Sequence, residues 1–424
     1  MSLTLFVWLA AVVVLAVRAF SHSATYGLSL YMLTFFVSPA FWWWGDPIAT
    51  YRWNLGAALI FAVAVLIERG NDLKKPVEIS NWPQLLALAF FVNVNLVHFL
   101  LAPNQAVSFD RYFLVVKFFV LFVVLAVCIR DAKALRLAFW SMTLCAGYIG
   151  YEVTINERGQ FFDGRLQGIG AAGVQEPNEL AALLGTVLPL TAGLFFTGTT
   201  KEKIGIAIVG PMILNVVLLC SSRGAFLALI AGAIVFLYMA KGPARKKIMR
   251  GFALGILAVY LLLGDPEIFT RFMTIFANAE ERDASAAYRL VIWSAAFSVL
   301  SDHPLGSGGD GFNRLYSRQY LETGRSVHNG FLSEAIEWGV QGLILKLLFL
   351  TAGLFVVLRT VKQRGVQDPE STVIAACLVT SLTVLVVASA FADFLDNEWG
   401  YWIVGMMLGY ARAYAVSAEP EPRA

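Results

Sequence analysis

The residues best placed for chemistry begin with the run His328-Asn329-x9-Gly339-x-x-Gly342. A histidine where a polar loop meets an apolar run stands at a membrane–water boundary. It is one of the few side chains there that can take a proton near neutral pH. The same histidine could equally do no more than cap the helix that follows, as could Asn329. Gly339 and Gly342, at helical i, i+3 spacing, let another helix come close. Arg223 stands between two apolar runs, after Ser221-Ser222 and before Gly224. An arginine in that setting either binds an anion or snorkels out as an interfacial anchor. Lys117, Lys346, Asn93, Asn95, His98 and Asn215 all fall inside apolar runs. Ionisable groups at membrane depth tend to face a bundle interior and mark a pathway, although a lysine near a helix end can snorkel.

The elements that must position these residues are membrane helices. Of 424 residues, 58% are hydrophobic and only 14% charged, and the mean hydropathy is +0.69. Soluble domains carry about 25% charged residues, so the deficit excludes a soluble surface. A net charge of +3 without a basic stripe excludes a nucleic-acid partner. Cys128, Cys145, Cys220 and Cys377 lie in apolar runs without C-x-x-C spacing, which excludes a disulfide framework or a thiolate metal site. Aromatic residues at 13% exclude disorder.

Runs long enough to cross a bilayer as helix, roughly 20 residues each, are expected near 3–19, 26–44, 52–67, 82–101, 112–129, 134–153, 179–197, 204–220, 224–240, 249–263, 335–358, 373–392 and 398–416. The first lacks a basic n-region and a cleavage site, so it is kept as a helix of the mature chain. Lys and Arg concentrate in one set of alternate loops, including Lys74, Lys75, Lys133, Lys246 and Lys362. The other set's short loops hold only Arg52, Arg111, Arg158, Arg165 and Arg223. The positive-inside rule makes the first set cytoplasmic, with the C-terminus inside and 12 or 13 crossings. Between about Asp265 and Gly330 no run spans, and a stretch of that length implies a folded cap on the outer side. Within it, 284–300 reads as an amphipathic helix with Tyr288, Ile292, Ala295 and Val299 near one face. Gly306, Gly308, Gly309 and Gly311 then make a turn. Trp42, Trp43 and Trp44 at an outer helix end suit an aromatic belt.

The His328 run, following a long outer loop, resembles the signature of the bacterial O-antigen ligase/polymerase superfamily. Gly164-Arg165-Leu166 before Pro177-Asn178-Glu179-Leu180-Ala181, then Ser222-Arg223-Gly224-Ala225, then Arg289-x3-Trp293 with Pro304-Leu305-Gly306-x-Gly308, are similar to its other blocks in the same order. The likeness covers about residues 160–350; the first 150 match only in being hydrophobic. It implies transfer of a glycan from undecaprenyl diphosphate to an acceptor hydroxyl at the periplasmic face of the bacterial inner membrane. On that reading Arg223, Arg289 and Arg165 bind the diphosphate, since guanidinium holds phosphate oxygens bidentately. His328 is the general base, supported by Asn329, Gly339 and Gly342, and displacement inverts the anomeric centre.

The Gly306–Gly311 turn could present N–H groups to phosphate, although a glycine turn is commonly just a turn. The resemblance implies no metal and no cofactor. The rival way to neutralise a diphosphate is a cation on Glu281-x-Asp283 or on the second acidic cluster, Asp393-x-x-Asp396-x-Glu398, which could instead bind acceptor sugars or form a solvated rim. The expected fold is an all-α polytopic membrane protein: a transmembrane bundle over 1–263, a helical periplasmic cap over 264–330, transmembrane helices over 331–416 and a cytoplasmic tail over 417–424. The expected acceptor is lipid A–core, which makes the protein an O-antigen ligase. A repeat-unit polymerase, transfer to a protein hydroxyl and, from a different class, a transporter of lipid-linked sugars are the alternatives.

Overall fold

The computed structural model describes residues 2–71, 80–162, 164–239, 284–321, 324–364 and 368–414, with scattered positions between 245 and 273. The chain is an all-α polytopic membrane protein. Its helices are α1 (Leu3–Ser21), α2 (Thr25–Phe36), α3 (Trp53–Asn71), α4 (Trp82–Leu96), α5 (Gln105–Cys128), α6 (Ala132–Thr154), α7 (Pro177–Thr197), α8 (Thr200–Leu219) and α9 (Arg223–Met239). After the cap helices α10 (Ala284–Asp302) and α11 (Ser317–Leu321) come α12 (Gly330–Arg364), α13 (Pro369–Ala388) and α14 (Trp399–Tyr414). A two-stranded antiparallel hairpin, Gln160–Phe162 with Arg165–Gln167, joins α6 to α7.

Twelve of the thirteen expected segments coincide with helices. Most of the remaining one, 249–263, lies outside the described residues, as do the first part of the cap, the Glu281/Asp283 pair, Lys74, Lys75 and the C-terminal tail. Eight helices among the described residues are long and apolar enough to cross a membrane, and Arg223–Met239 is a shorter apolar one. The segment expected at 26–44 differs most. α2 ends at Phe36 after 12 residues, about 18 Å of helix against a hydrocarbon core of about 30 Å. Pro39 and Pro47 then start two short 3-10 turns. The tryptophans expected as a belt fall in those turns. Trp42 and Trp44 are buried and Trp43 is half exposed; Trp44 donates its indole N–H to the Tyr148 hydroxyl at 2.8 Å. Trp42 and Trp44 pack inward because the chain doubles back there instead of continuing as a lipid-facing helix.

The polar residues inside the spans are used as helix-to-helix or within-helix fasteners. Asn93 Nδ2 donates to the Trp338 carbonyl at 2.8 Å, Asn215 Nδ2 to the Thr154 hydroxyl at 3.0 Å, and Asn95 Nδ2 to the Phe91 carbonyl at 2.8 Å. His98 Nδ1 lies 2.9 Å from the Ser108 hydroxyl. Lys346 is buried 3.7 Å from Glu334, donates to the Tyr401 hydroxyl at 3.3 Å and lies over the Phe90 and Tyr401 rings. Lys117 is exposed beside the Phe113 ring, the pose of a side chain that snorkels along the lipid surface.

α12 is the element that carries the site, and it is broken. Gly339 has φ 83° and ψ 164°, a conformation a helix cannot contain. The helical i, i+3 relation expected for Gly339 and Gly342 is therefore replaced by a break at the first and a close approach at the second, where a Cβ would meet Asn93 Nδ2 at 2.9 Å. Carbonyls orphaned by such a break need partners, because lipid supplies none. The Pro304–Gly308 turn supplies them. Ser307 N–H donates to Ile336 O at 2.8 Å, Gly308 N–H to Glu337 O at 3.0 Å, and Val340 N–H to Pro304 O at 3.0 Å. Gly306 (φ 110°) and Gly308 (φ 82°) take backbone conformations that a Cβ would strain.

Candidate functional site

The site gathers at the bundle end where α7, α9, α12 and α14 begin and α8 and α13 finish. His328 precedes α12 with φ 54°, an uncommon conformation for a non-glycine residue. A carboxylate holds it there. Asp393, in the segment joining α13 to α14, accepts the His328 N–H through Oδ2 at 3.2 Å and the Asn329 N–H through Oδ1 at 3.0 Å. Gly330 N–H donates to the carbonyls of Ser389 (2.7 Å) and Ala392 (3.0 Å) in the same segment. Asn329 is the N-cap of α12: its Oδ1 accepts the N–H of Phe331 at 3.1 Å and of Leu332 at 3.2 Å. Of the two roles open to Asn329, capping is the one its side chain performs here.

The cap helix aims at the same spot. Ile292, Ala295, Ala296 and Val299 pack with Phe312, Val327, Leu332 and Ile336 as a small core, which is the apolar face expected for 284–300. Tyr288 lies beyond it, exposed, beneath the Arg325 guanidinium at 5.9 Å. Trp293 donates its indole N–H to the Val327 carbonyl at 3.1 Å, pinning α10 to the residue before His328. Arg289, one turn earlier on the same helix face, is thereby carried to His328.

Arg223 opens α9. Ser222 caps that helix, its carbonyl accepting the Phe226 N–H at 3.0 Å and its hydroxyl the Ala225 N–H at 3.4 Å, so Arg223 adds its charge to the positive end of the helix dipole. Gly224 lets α9 press against the Asp393 segment: a Cβ there would meet Phe391 Cβ at 2.7 Å. Arg165 donates through Nε to the Cys220 carbonyl at 3.2 Å and through Nη2 to Asn178 Oδ1. It fastens the hairpin to the ends of α7 and α8, next to the Ser221–Arg223 corner.

The charges of these groups act on one another. Burial and the charge of Arg223 push the Arg289 guanidinium below its usual range, opposed by Asp393, and Arg289 Nε is buried without a hydrogen-bond partner. Burial, followed by the charge of Arg289, holds the His328 imidazole below its ordinary value; Arg325 acts the same way and Glu176 against it. His328 is therefore neutral at pH 7, the form that accepts a proton. Burial and the neighbouring Asp396 raise Asp393 to about 7, while the N–H groups of His328 and Asn329 pull it down.

Arg223, Arg289 and His328 thus come together from three distant parts of the chain, with Arg165 behind Arg223. The glycine turn does not join them: every N–H from Gly306 to Gly311 is bound to a protein acceptor, Gly309 to the Ser108 hydroxyl at 2.9 Å and Asp310 to Glu337 Oε1 at 3.0 Å among them. Two of those donors, Ser307 and Gly308, serve the α12 break and the others are bound within the turn or to neighbouring side chains, which answers the phosphate expectation for this turn. Asp393 and Asp396 were legible only as an acidic cluster; they are engaged with the His328–Asn329 backbone and with Arg111, whose Nη1 lies 3.0 Å from Asp396 Oδ2.

Residues 207–347 match the family model described as O-antigen ligase. The match supports the O-antigen ligase/polymerase superfamily. This O-antigen ligase segment runs from α8 through the cap into α12 and contains Arg223, Arg289, His328, Asn329, Gly339 and Gly342; Arg165, Arg111 and Asp393 lie outside it. No curated protein matches the chain. The protein is a multi-pass membrane protein that carries a segment similar to the O-antigen ligase family.

Proposed function

We propose that the protein is an O-antigen ligase. It moves a preassembled glycan from undecaprenyl diphosphate to a sugar hydroxyl of lipid A–core at the periplasmic face of the inner membrane. The observation that carries this reading is the pairing of Arg289 with Arg223 beside a neutral His328: two guanidiniums that repel each other, one with a buried unpartnered Nε. Like charges held together in a half-buried place are relieved by an anion, and a diphosphate matches two guanidiniums in charge and geometry. Arg165 acts on the diphosphate through the corner it fastens, by fixing where Arg223 stands. An apolar cavity of about 490 Å³ between α7, α8 and α9, lined by Leu188, Phe195, Ile206, Leu214, Leu229 and Val384, suits a segment of the polyprenyl chain.

In the reaction the acceptor O–H gives its proton to the His328 imidazole as its oxygen attacks the anomeric carbon. The bond from that carbon to the diphosphate oxygen breaks, and undecaprenyl diphosphate leaves with the electron pair, its charge held by Arg223 and Arg289. A single displacement inverts the anomeric centre. No step requires a metal ion or a cofactor. The polar groups inside the spans are engaged with neighbouring groups and are not strung along a path, which favours transfer over transport.

The test is reconstitution. Purified protein, undecaprenyl-diphosphate glycan and lipid A–core are expected to form the glycan–lipid A conjugate. Longer lipid-linked glycan made without acceptor identifies a polymerase, and movement of lipid-linked sugar across a liposome without a new glycosidic bond identifies a transporter. Either outcome replaces the ligase reading.

A further inference from the structure

The segment that clamps His328 is itself held from the N-terminal half of the chain. Asp396 follows Asp393 in the segment between α13 and α14, and its buried carboxylate (6% exposed) is ion-paired with Arg111 of α5 at 3.0 Å. The charges of Glu337, Asp310 and Asp393 also act on Arg111. Glu337, beside the α12 break, accepts the Asp310 N–H at 3.0 Å, and Asp393 accepts the His328 and Asn329 N–H groups. One guanidinium therefore faces four carboxylates drawn from the cap turn, from α12 and from the α13–α14 segment. Carboxylates gathered this closely in a buried place repel one another unless a permanent cation stands among them. α5 also reaches the cap turn by a second route: Arg314 lies 3.3 Å from Asp110 and 2.5 Å from Asp310. Loss of Arg111 thus leaves the cap turn tethered to α5 through Asp110.

We propose that Arg111 is a positioning residue for glycan transfer: its pair with Asp396 holds the α13–α14 segment where Asp393 can clamp the His328–Asn329 backbone. This rests on His328 being the base. Arg111 acts through Asp396 and Asp393 and does not itself touch the donor, whose diphosphate belongs to Arg223 and Arg289.

The experiment compares purified full-length wild type with Arg111→Gln, Arg111→Lys, Asp396→Asn and the Arg111→Gln/Asp396→Asn double variant. It measures kcat with undecaprenyl-diphosphate glycan and lipid A–core, donor affinity, and thermal unfolding in detergent. A misplaced base costs up to about 100-fold in rate, so Arg111→Gln is expected to lower kcat about 10- to 100-fold, with donor affinity changed less than about twofold. Arg111→Lys should recover part of kcat. Asp396→Asn should fall like Arg111→Gln, and the double variant should lose no more than the worse single one, as coupled residues do. Wild-type kcat in Arg111→Gln overturns the proposal. So does weakened donor binding at unchanged kcat, which would make Arg111 a donor ligand, and so do single losses that multiply in the double variant. Should Arg111→Gln fail to fold, Arg111→Lys and Asp396→Asn carry the same criteria. A wild type that forms no conjugate overturns the ligase reading and this proposal with it; an active wild type with an unaffected Arg111→Gln overturns this proposal alone.

Discussion

His328 joins two properties that are seldom found together in an exposed histidine: an imidazole kept neutral by burial and neighbouring guanidiniums, and a backbone clamped at positive φ. Because its folded value is lowered, protonation sets in below the ordinary 6.5. The acid limb of kcat/KM against pH is then expected to have its midpoint below 6.5. Arg325→Gln removes one of the charges opposing the imidazolium and should move that limb upward, with donor affinity little changed; a limb that moves down or stays would show that Arg325 does not act on His328. The clamp is a separate matter. Asp393→Ala deprives two N–H groups of their acceptor, at about 1–3 kcal/mol for each buried donor left unpaired, and should lower both the unfolding temperature and kcat. As candidates, His328, Arg223 and Arg289 stood out in the chain because each stands in a short motif flanked by glycine or tryptophan. Asp393 was visible only as one carboxylate in an acidic cluster. Its partner is 65 residues away, and no local spacing announces an acceptor for another segment's backbone.

At the level of elements, α12 does what its hydropathy conceals. As a string it is one long apolar run after His328, and helix was the natural expectation for all of it. Gly339 divides it, and the glycine turn of the cap closes the gap by bonding its carbonyls. Gly339→Ala would force a side chain into positive φ and bring a Cβ within 2.5 Å of the Leu305 carbonyl carbon, with a cost of about 1–3 kcal/mol for the backbone alone. Its unfolding temperature in detergent should fall clearly below wild type. Gly205→Ala in α8, where a Cβ meets nothing within 4 Å, should leave it unchanged or slightly raised. Equal effects at the two positions would contradict the account of the break. The helices themselves were legible from hydropathy, and α10 from its amphipathic period. The early ending of α2 was not, because Pro39 interrupts a run whose apolar content continues through Trp44.

For the whole molecule, the sparse charges divide into those that set topology and those that build one end of the bundle. Arg223, Arg289, Arg165 and Arg111 all fall in the set that departs from the positive-inside pattern, and the structure brings them to the same end. The first 150 residues, which resembled the superfamily only in being hydrophobic, supply Arg111 and Asn93 to the support of α12. Neither contribution could be read from the sequence, since each depends on which helices become neighbours. On the proposed mechanism two guanidiniums stand in place of a cation, so turnover is expected to survive EDTA unchanged, and loss restored by Mg²⁺ or Mn²⁺ would overturn the metal-free mechanism. The central claim, that glycan transfer depends on His328 as base, is tested most directly by single-turnover transfer from prebound undecaprenyl-diphosphate glycan to lipid A–core in wild type and His328→Ala. The account predicts that the variant binds donor and unfolds at the wild-type temperature yet forms conjugate at least about 100-fold more slowly; near-normal transfer by the folded variant would contradict it.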